Sequence, residues 1–145
     1  MEKLQNFLNH YKLVIINEKP IDLYENIKEV YFTFEYNDND DEPLNFLKNL
    51  LHKISKINRN EIDLMDINTL IENINKVQFQ NQNNSIIIII NTDSISDNIK
   101  NILKLNLNFI IFTKNIEELN FKKLNISHIF LKIKYSSTTA QKLIN

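Results

Sequence analysis

Ser85-Ile86-Ile87-Ile88-Ile89-Ile90-Asn91 is the stretch whose reading decides the fold. Five consecutive β-branched residues with no polar alternate suit a strand covered by apolar layers on both faces, and this places the segment at the centre of a sheet. A strand wet on one side would alternate apolar and polar residues instead. Upstream, Gln78 to Asn84 reads as a polar loop. Before it, Ile67, Leu70, Ile71 and Ile74 mark one face of a helix, with Asp66 or Asn68 near its start. Ile62-Asp63-Leu64-Met65 reads as a short strand.

Further upstream, Val30-Tyr31-Phe32-Thr33-Phe34-Glu35-Tyr36 is rich in β-formers and predicts an interior strand. The polar cluster Asn37 to Glu42 follows it. Pro43 then suits the first turn of a helix capped by Asp41 or Glu42, with Leu44, Leu47, Leu50, Leu51 and Ile54 on one face. Leu13 to Ile16 is apolar and β-rich, Pro20 breaks it, and Ile21 to Tyr24 alternates weakly, so one short strand is expected within this stretch. The first dozen residues carry Leu4, Phe7, Leu8 and Tyr11 at helical spacing, either as a helix packed on its own domain or as a docking peptide.

Downstream, Ser94 or Ser96 can cap a helix carrying Ile99, Ile102 and Leu103, and Phe109-Ile110-Ile111-Phe112 is a further buried strand. Ile116 to Phe121 suits a short helix, His128 to Ile133 a last strand, and Ser137 to Ile144 one or two closing helical turns. The strands expected around Val30, Ile62, Ile86, Phe109 and Ile129 alternate with helices. This order predicts an α/β fold, three-layer α/β/α, with a mostly parallel sheet of four to five strands. Residues 1–20 stand apart as an N-terminal segment, and residues 21–145 form a single α/β domain.

At 145 residues and 43% hydrophobic content the chain can bury one core. Seventeen basic against 18 acidic residues, a formal net charge of −1, produce no global field for nucleic acid or an anionic membrane. There is no cysteine, which excludes disulfides, zinc-thiolate sites and thiol nucleophiles. The N-terminus lacks a secretory-signal layout, and Ile86 to Ile90, the longest apolar run, is far too short to span a bilayer, so a cytoplasmic location is expected. Glycine is absent altogether. Phosphate-cradling loops need backbone with positive φ lying close to the ligand, so neither the dinucleotide fingerprint nor the P-loop can be written, and no cofactor is expected.

Asp38, Asp40, Asp41 and Glu42 follow a strand, where open α/β sheets place ligands, and a receiver-like or metal-binding domain using residues 38–42 is one functional reading. The other acids and the late lysine of a receiver are missing, and acids at a helix N-terminus are stabilised by its dipole in any case, so no metal is expected. His10, His52 and His128 lie in unrelated segments. The serines lack the small neighbours of a nucleophile elbow. Lys122-Lys123 beside Phe121, and Lys132 and Lys134 beside Tyr135, are at most a weak single-strand-binding surface.

The stretch Glu25-Asn26-Ile27-Lys28-Glu29-Val30-Tyr31-Phe32, the acidic loop, Glu42-Pro43-Leu44, Leu50-Leu51-His52-Lys53-Ile54, Asn60 to Met65 and Ile67 to Ile74 together resemble the psi subunit of bacterial DNA polymerase III holoenzyme, a clamp-loader accessory subunit. Phe7-Leu8-Asn9-His10-Tyr11-Lys12-Leu13 is similar to that family's N-terminal docking peptide, with Leu8, Tyr11 and Leu13 at its aliphatic, aromatic and aliphatic positions. Phe7 stands where the family has glycine. Lys142-Leu143-Ile144 is similar to the closing helix, without its tryptophan. The resemblance implies a non-catalytic bridge whose partners are the chi subunit, the clamp-loader AAA+ subunits and, indirectly, single-strand DNA-binding protein. It assigns clamp-loader docking to Leu8, Tyr11 and Leu13 in segment 1–20, with no membrane partner.

Overall fold

A computed structural model describes residues 2–81, 86–114, 126 and 128–131. Among these residues five strands form one sheet: β1 (Leu13–Asn17), β2 (Phe32–Asn37), β3 (Ile86–Asn91), β4 (Asn108–Thr113) and β5 (His128–Leu131). Their order is β2-β3-β4-β1-β5, and every neighbouring pair is parallel. The helices are α1 (Glu2–His10), α2 (Ile21–Val30), α3 (Pro43–Ile54), α4 (Arg59–Asp63), α5 (Ile67–Asn81) and α6 (Asp97–Ile102). The expected three-layer α/β/α architecture is therefore present, with a fully parallel sheet.

Each face of the sheet has its own core. Ile86, Ile88 and Ile90 of β3 join Leu13, Ile15, Phe109 and Ile111 beneath α3, α4, α5 and α6. The alternate residues Ile87, Ile89, Val14, Ile16, Ile110 and Phe112 face Leu4 and Leu8 of α1 and Leu23 and Ile27 of α2. Each such side chain withdrawn from water contributes about 1.5–3 kcal/mol, which is why apolar runs without polar alternates are required.

The structure corrects several local expectations. β3 is an interior strand, but the centre of the sheet is β4, between β3 and β1. The β-rich run from Val30 is divided: Val30 is the last residue of α2, and β2 starts at Phe32 as one of the two outer strands among the described residues, where an interior one was expected. Ile21 to Tyr24 lies in α2, because Leu23 and Ile27, four residues apart, reach the core together. Ile62 to Met65 forms no strand. Asn58 caps α4 by accepting the Asn60 N–H at 3.0 Å, Arg59 pairs with Asp63 at 3.0 Å, and Ile62 alone is buried while Leu64 is 88% exposed.

Gln78 to Asn81, expected as loop, extends α5. Asp66 caps that helix, accepting the Thr69 N–H at 2.8 Å, and Ser96 caps α6 through the Ile99 N–H at 3.2 Å. Residues 1–20 supply α1 and strand β1, which is hydrogen-bonded to β4 and β5. The helix expected at Ile116 to Phe121, the closing turns from Ser137, Lys142-Leu143-Ile144 and the basic pairs at Lys122-Lys123 and Lys132/Lys134 lie outside the described residues.

Candidate functional site

Because all described strands run parallel, their carboxyl ends share one edge, the usual place for a ligand in an open α/β sheet. Here four strands end in a polar residue, Asn17, Asn37, Asn91 and Thr113, with Asn37 opposite Asn91 and Asn17 opposite Thr113. Next to them is Glu35, which β2 directs to the α2 side of the sheet. One Glu35 carboxylate oxygen accepts from Lys19 Nζ at 3.0 Å and Asn91 Nδ2 at 2.6 Å, and the other accepts from the Tyr24 hydroxyl at 2.5 Å. Asn91 also donates to Asn37 Oδ1 at 2.6 Å. Lys19 Nζ lies 3.9 Å from the centre of the Tyr24 ring, which packs edge-on to Phe112.

Burial raises the Glu35 pKa, but hydrogen bonds from Tyr24, Lys19 and Asn91 and the Lys19 charge outweigh it, and the carboxyl stays below its ordinary range. The Tyr24 phenol is pushed up to about 12, first by burial and then by the hydrogen bond to the Glu35 carboxylate and its charge. Backbone geometry at this edge is also unusual: Glu18 has φ of 68°, a left-handed conformation in a chain that has no glycine to place there. Its N–H donates to the Thr113 carbonyl.

On the opposite face, the acidic loop closes on itself. Tyr36 is buried, and its hydroxyl lies 3.4 Å from Asp38 Oδ1 and 3.3 Å from the Asp41 carbonyl. Ser96 donates to Asp38 at 3.0 Å, and Asp41 accepts the Asn37 N–H at 2.8 Å. Burial and the Asp38 carboxylate push the Tyr36 phenol up to about 12. Asp38 and Asp41 thus tie β2 to the loops before α3 and α6, while Asp40 is exposed. Among the described residues no three His, Asp or Glu side chains are grouped to hold a metal ion. The carboxyl edge is a network of filled hydrogen bonds in which donors and acceptors of this chain satisfy one another.

The opposite, amino-terminal edge carries a shallow open cleft of about 270 Å³. Among the described residues its lining includes Leu8, His10, Tyr11, Lys12, Asn106 and Asn108. The junction between α1 and β1 forms one wall, held by Asn108 Nδ2 donating to the Leu8 carbonyl at 2.6 Å and by the Phe109 N–H donating to the Lys12 carbonyl at 3.0 Å. Lys12 is half-buried; its Nζ donates to the Leu103 carbonyl at 2.8 Å and lies 5.7 Å from the centre of the Phe109 ring. Burial lowers the Lys12 pKa.

Of the three residues expected to dock, Leu13 is fully buried within β1 and Leu8 is buried against the sheet. Tyr11 is part-exposed on the rim of the cleft. The structure therefore brings Leu8 and Tyr11 to one cleft and separates Leu13 from it. His10 lies at the same rim, His52 on α3, and His128 on β5 with Nδ1 2.7 Å from the Ile126 carbonyl. Sequence reasoning missed the Glu35 network. Its signal was an acid inside a β-forming run and the recurrence of Asn or Thr as the last residue of apolar strands.

Fold and site define a parallel α/β domain whose carboxyl edge is spanned by its own side chains and whose amino-terminal edge, among the described residues, carries an open cleft. Among the described residues no helix is long and apolar enough to cross a membrane. Compared with models of known protein families and with curated protein sequences, the chain matches none.

Proposed function

We propose that this chain is a non-catalytic adaptor of the replicative DNA polymerase holoenzyme, psi-like in role and acting in the cytoplasm. It holds the clamp-loader AAA+ subunits at the amino-terminal edge and the chi subunit through its body. Chi in turn links it to single-strand DNA-binding protein. The observation that carries this reading is the position of Tyr11, an aromatic side chain part-exposed on the rim of an open cleft. A few aromatic anchors commonly dominate the affinity of a protein contact. The filled carboxyl edge supports the same reading, since the place where a parallel sheet usually binds small ligands is spanned by the Glu35 and Asp38 networks.

In this arrangement Leu8 and Leu13 position the wall that carries Tyr11, and Tyr11 makes the contact. Two modest contacts joined through one rigid domain hold an assembly more tightly than either does alone, because the second forms at high effective concentration. The test is quantitative co-purification with purified clamp-loader subunits and, separately, with chi. Tyr11→Ala is expected to weaken clamp-loader binding by about tenfold or more and to leave chi binding unchanged. Undiminished clamp-loader binding by that variant would remove the assignment.

A further inference from the structure

We infer that the outer side of β2 takes an extended, basic segment of the partner held by the body of this chain, added to the sheet as a further strand whose side chains alternate apolar and basic. The inference rests on the adaptor reading and names the surface and the chemistry of its second contact.

Among the described residues β2 pairs only with β3, so its other side presents alternate backbone N–H and C=O groups. Such an edge is a template for another strand, and sheets commonly guard it with lysine, proline or a bulge. Phe32 to Asn37 contains neither lysine nor proline. Its one acid, Glu35, is held from within by Lys19, Tyr24 and Asn91. The rings of Phe32 and Phe34 meet edge-on at 5.0 Å, and Phe34 packs against the core beneath α3. Phe32 is 51% exposed and Val30, two residues before it, 56% exposed. Covering these two side chains gives an added strand an apolar anchor beside its backbone hydrogen bonds.

Charge selects the occupant. Residues 22–42, which form α2, β2 and the loop to α3, carry eight acids and one base, Lys28, although the whole chain carries 18 and 17. Asp22, Glu25 and Glu29 of α2 and Asp40 and Glu42 of the loop are exposed. A second copy paired edge to edge would bring two such flanks together, which like-charge repulsion opposes. A nucleic-acid strand is repelled for the same reason. A basic segment is attracted, most strongly at low salt.

The pleat sets the pattern of that segment. Phe32 and Phe34 lie on the α3 side of the sheet and Glu35 on the α2 side. A strand added at this edge continues the alternation. Its apolar residues lie beside Phe32 and Phe34, and its lysines or arginines lie on the face that carries Glu35 and α2.

The test uses the full chain, the purified chi subunit and a synthetic peptide alternating lysine with valine, with a glutamate-valine peptide as its control. Chi and the lysine-valine peptide are each expected to slow hydrogen exchange at the β2 amides directed away from β3, and the glutamate-valine peptide to leave it unchanged. Phe32→Ala is expected to weaken chi binding about tenfold. Glu25→Lys combined with Glu29→Lys should weaken it about five- to tenfold at low salt, with the loss shrinking at high salt. All three positions are exposed, so the melting temperature should stay near that of the parent.

If chi binds, neither set of variants weakens it and no β2 amide gains protection, the edge inference falls and the adaptor reading stands. If chi does not bind while the lysine-valine peptide still protects those amides, the adaptor reading falls and the edge chemistry stands. Outer β2 amides already slow in the isolated chain would show that a second copy or another part of the chain covers this edge, which overturns the inference.

Discussion

Glu35 shows how one carboxylate can join three elements: β2, which carries it, α2 through Tyr24, and β3 through Asn91. Its pKa is depressed in the folded state, so the stability it contributes is present above the ordinary carboxylate range and is lost as acid protonates it. Glu35→Gln is expected to lower stability at pH 7 by about 1 kcal/mol, because the site is partly solvent-screened, and the gap should close below about pH 4. Tyr24 has the opposite sign. Its folded pKa of about 12 exceeds the unfolded value, so its contribution is complete below about pH 10 and disappears as pH rises through 12. Tyr24→Phe should flatten part of that alkaline loss, with Tyr36 and Tyr31, whose phenols burial also pushes up, contributing to the remainder. Urea unfolding across a pH series measures both effects. Glu18 is the other informative residue. Its left-handed φ costs a non-glycine residue roughly 1–2 kcal/mol, so Glu18→Gly should raise the unfolding free energy by about 0.5–1 kcal/mol after the greater flexibility of the unfolded chain is subtracted.

The two apolar runs Ile62–Met65 and Ile86–Ile90 illustrate how elements are chosen. Four apolar-leaning residues fit a strand or a single helical turn equally well, and Asn58 capping with the Arg59–Asp63 pair decides for the turn in α4. Five isoleucines between helices on both sides leave one outcome. The energetic contrast is testable: Ile88→Ala, fully buried in β3, should cost about 2–5 kcal/mol, whereas Leu64→Ala, 88% exposed, should stay within about 0.5 kcal/mol of the parent. Comparable losses at the two positions in denaturant titrations would show that Leu64 is covered by a partner in solution. α2 was hidden in the sequence for a related reason. Val30 and Phe32, both β-formers, flank the point where the helix ends and the strand begins, and at 56% and 51% exposure neither is placed by the core.

Across the whole molecule, stability is expected to be graded from the middle of the sheet outwards. Among the described residues β1, β3 and β4 are each hydrogen-bonded to strands on both sides, β2 only to β3 and β5 only to β1. Amides of β1, β3 and β4 should therefore exchange with solvent slowest, opening only with global unfolding, and β2 amides directed away from β3 should exchange much faster. Hydrogen exchange followed by NMR measures this directly. Uniform slow exchange along both sides of β2 would mean that another chain or segment pairs with that edge.

The sequence by itself determined the layered α/β class, the buried strands at Ile86–Ile90 and Phe109–Phe112, the helix opened by Pro43 and the exclusion of glycine-built phosphate loops. Those features depend on residue type and short-range periodicity, which burial on two faces makes nearly unambiguous. Only the tertiary structure decided that β4 is central and β2 an outer strand of the described sheet, and that Leu13 belongs to the core while Tyr11 reaches a cleft. It alone showed that Glu35 meets Lys19, Tyr24 and Asn91. Strand order and side-chain meetings depend on which distant segments lie next to one another, and local pattern carries no term for that contact.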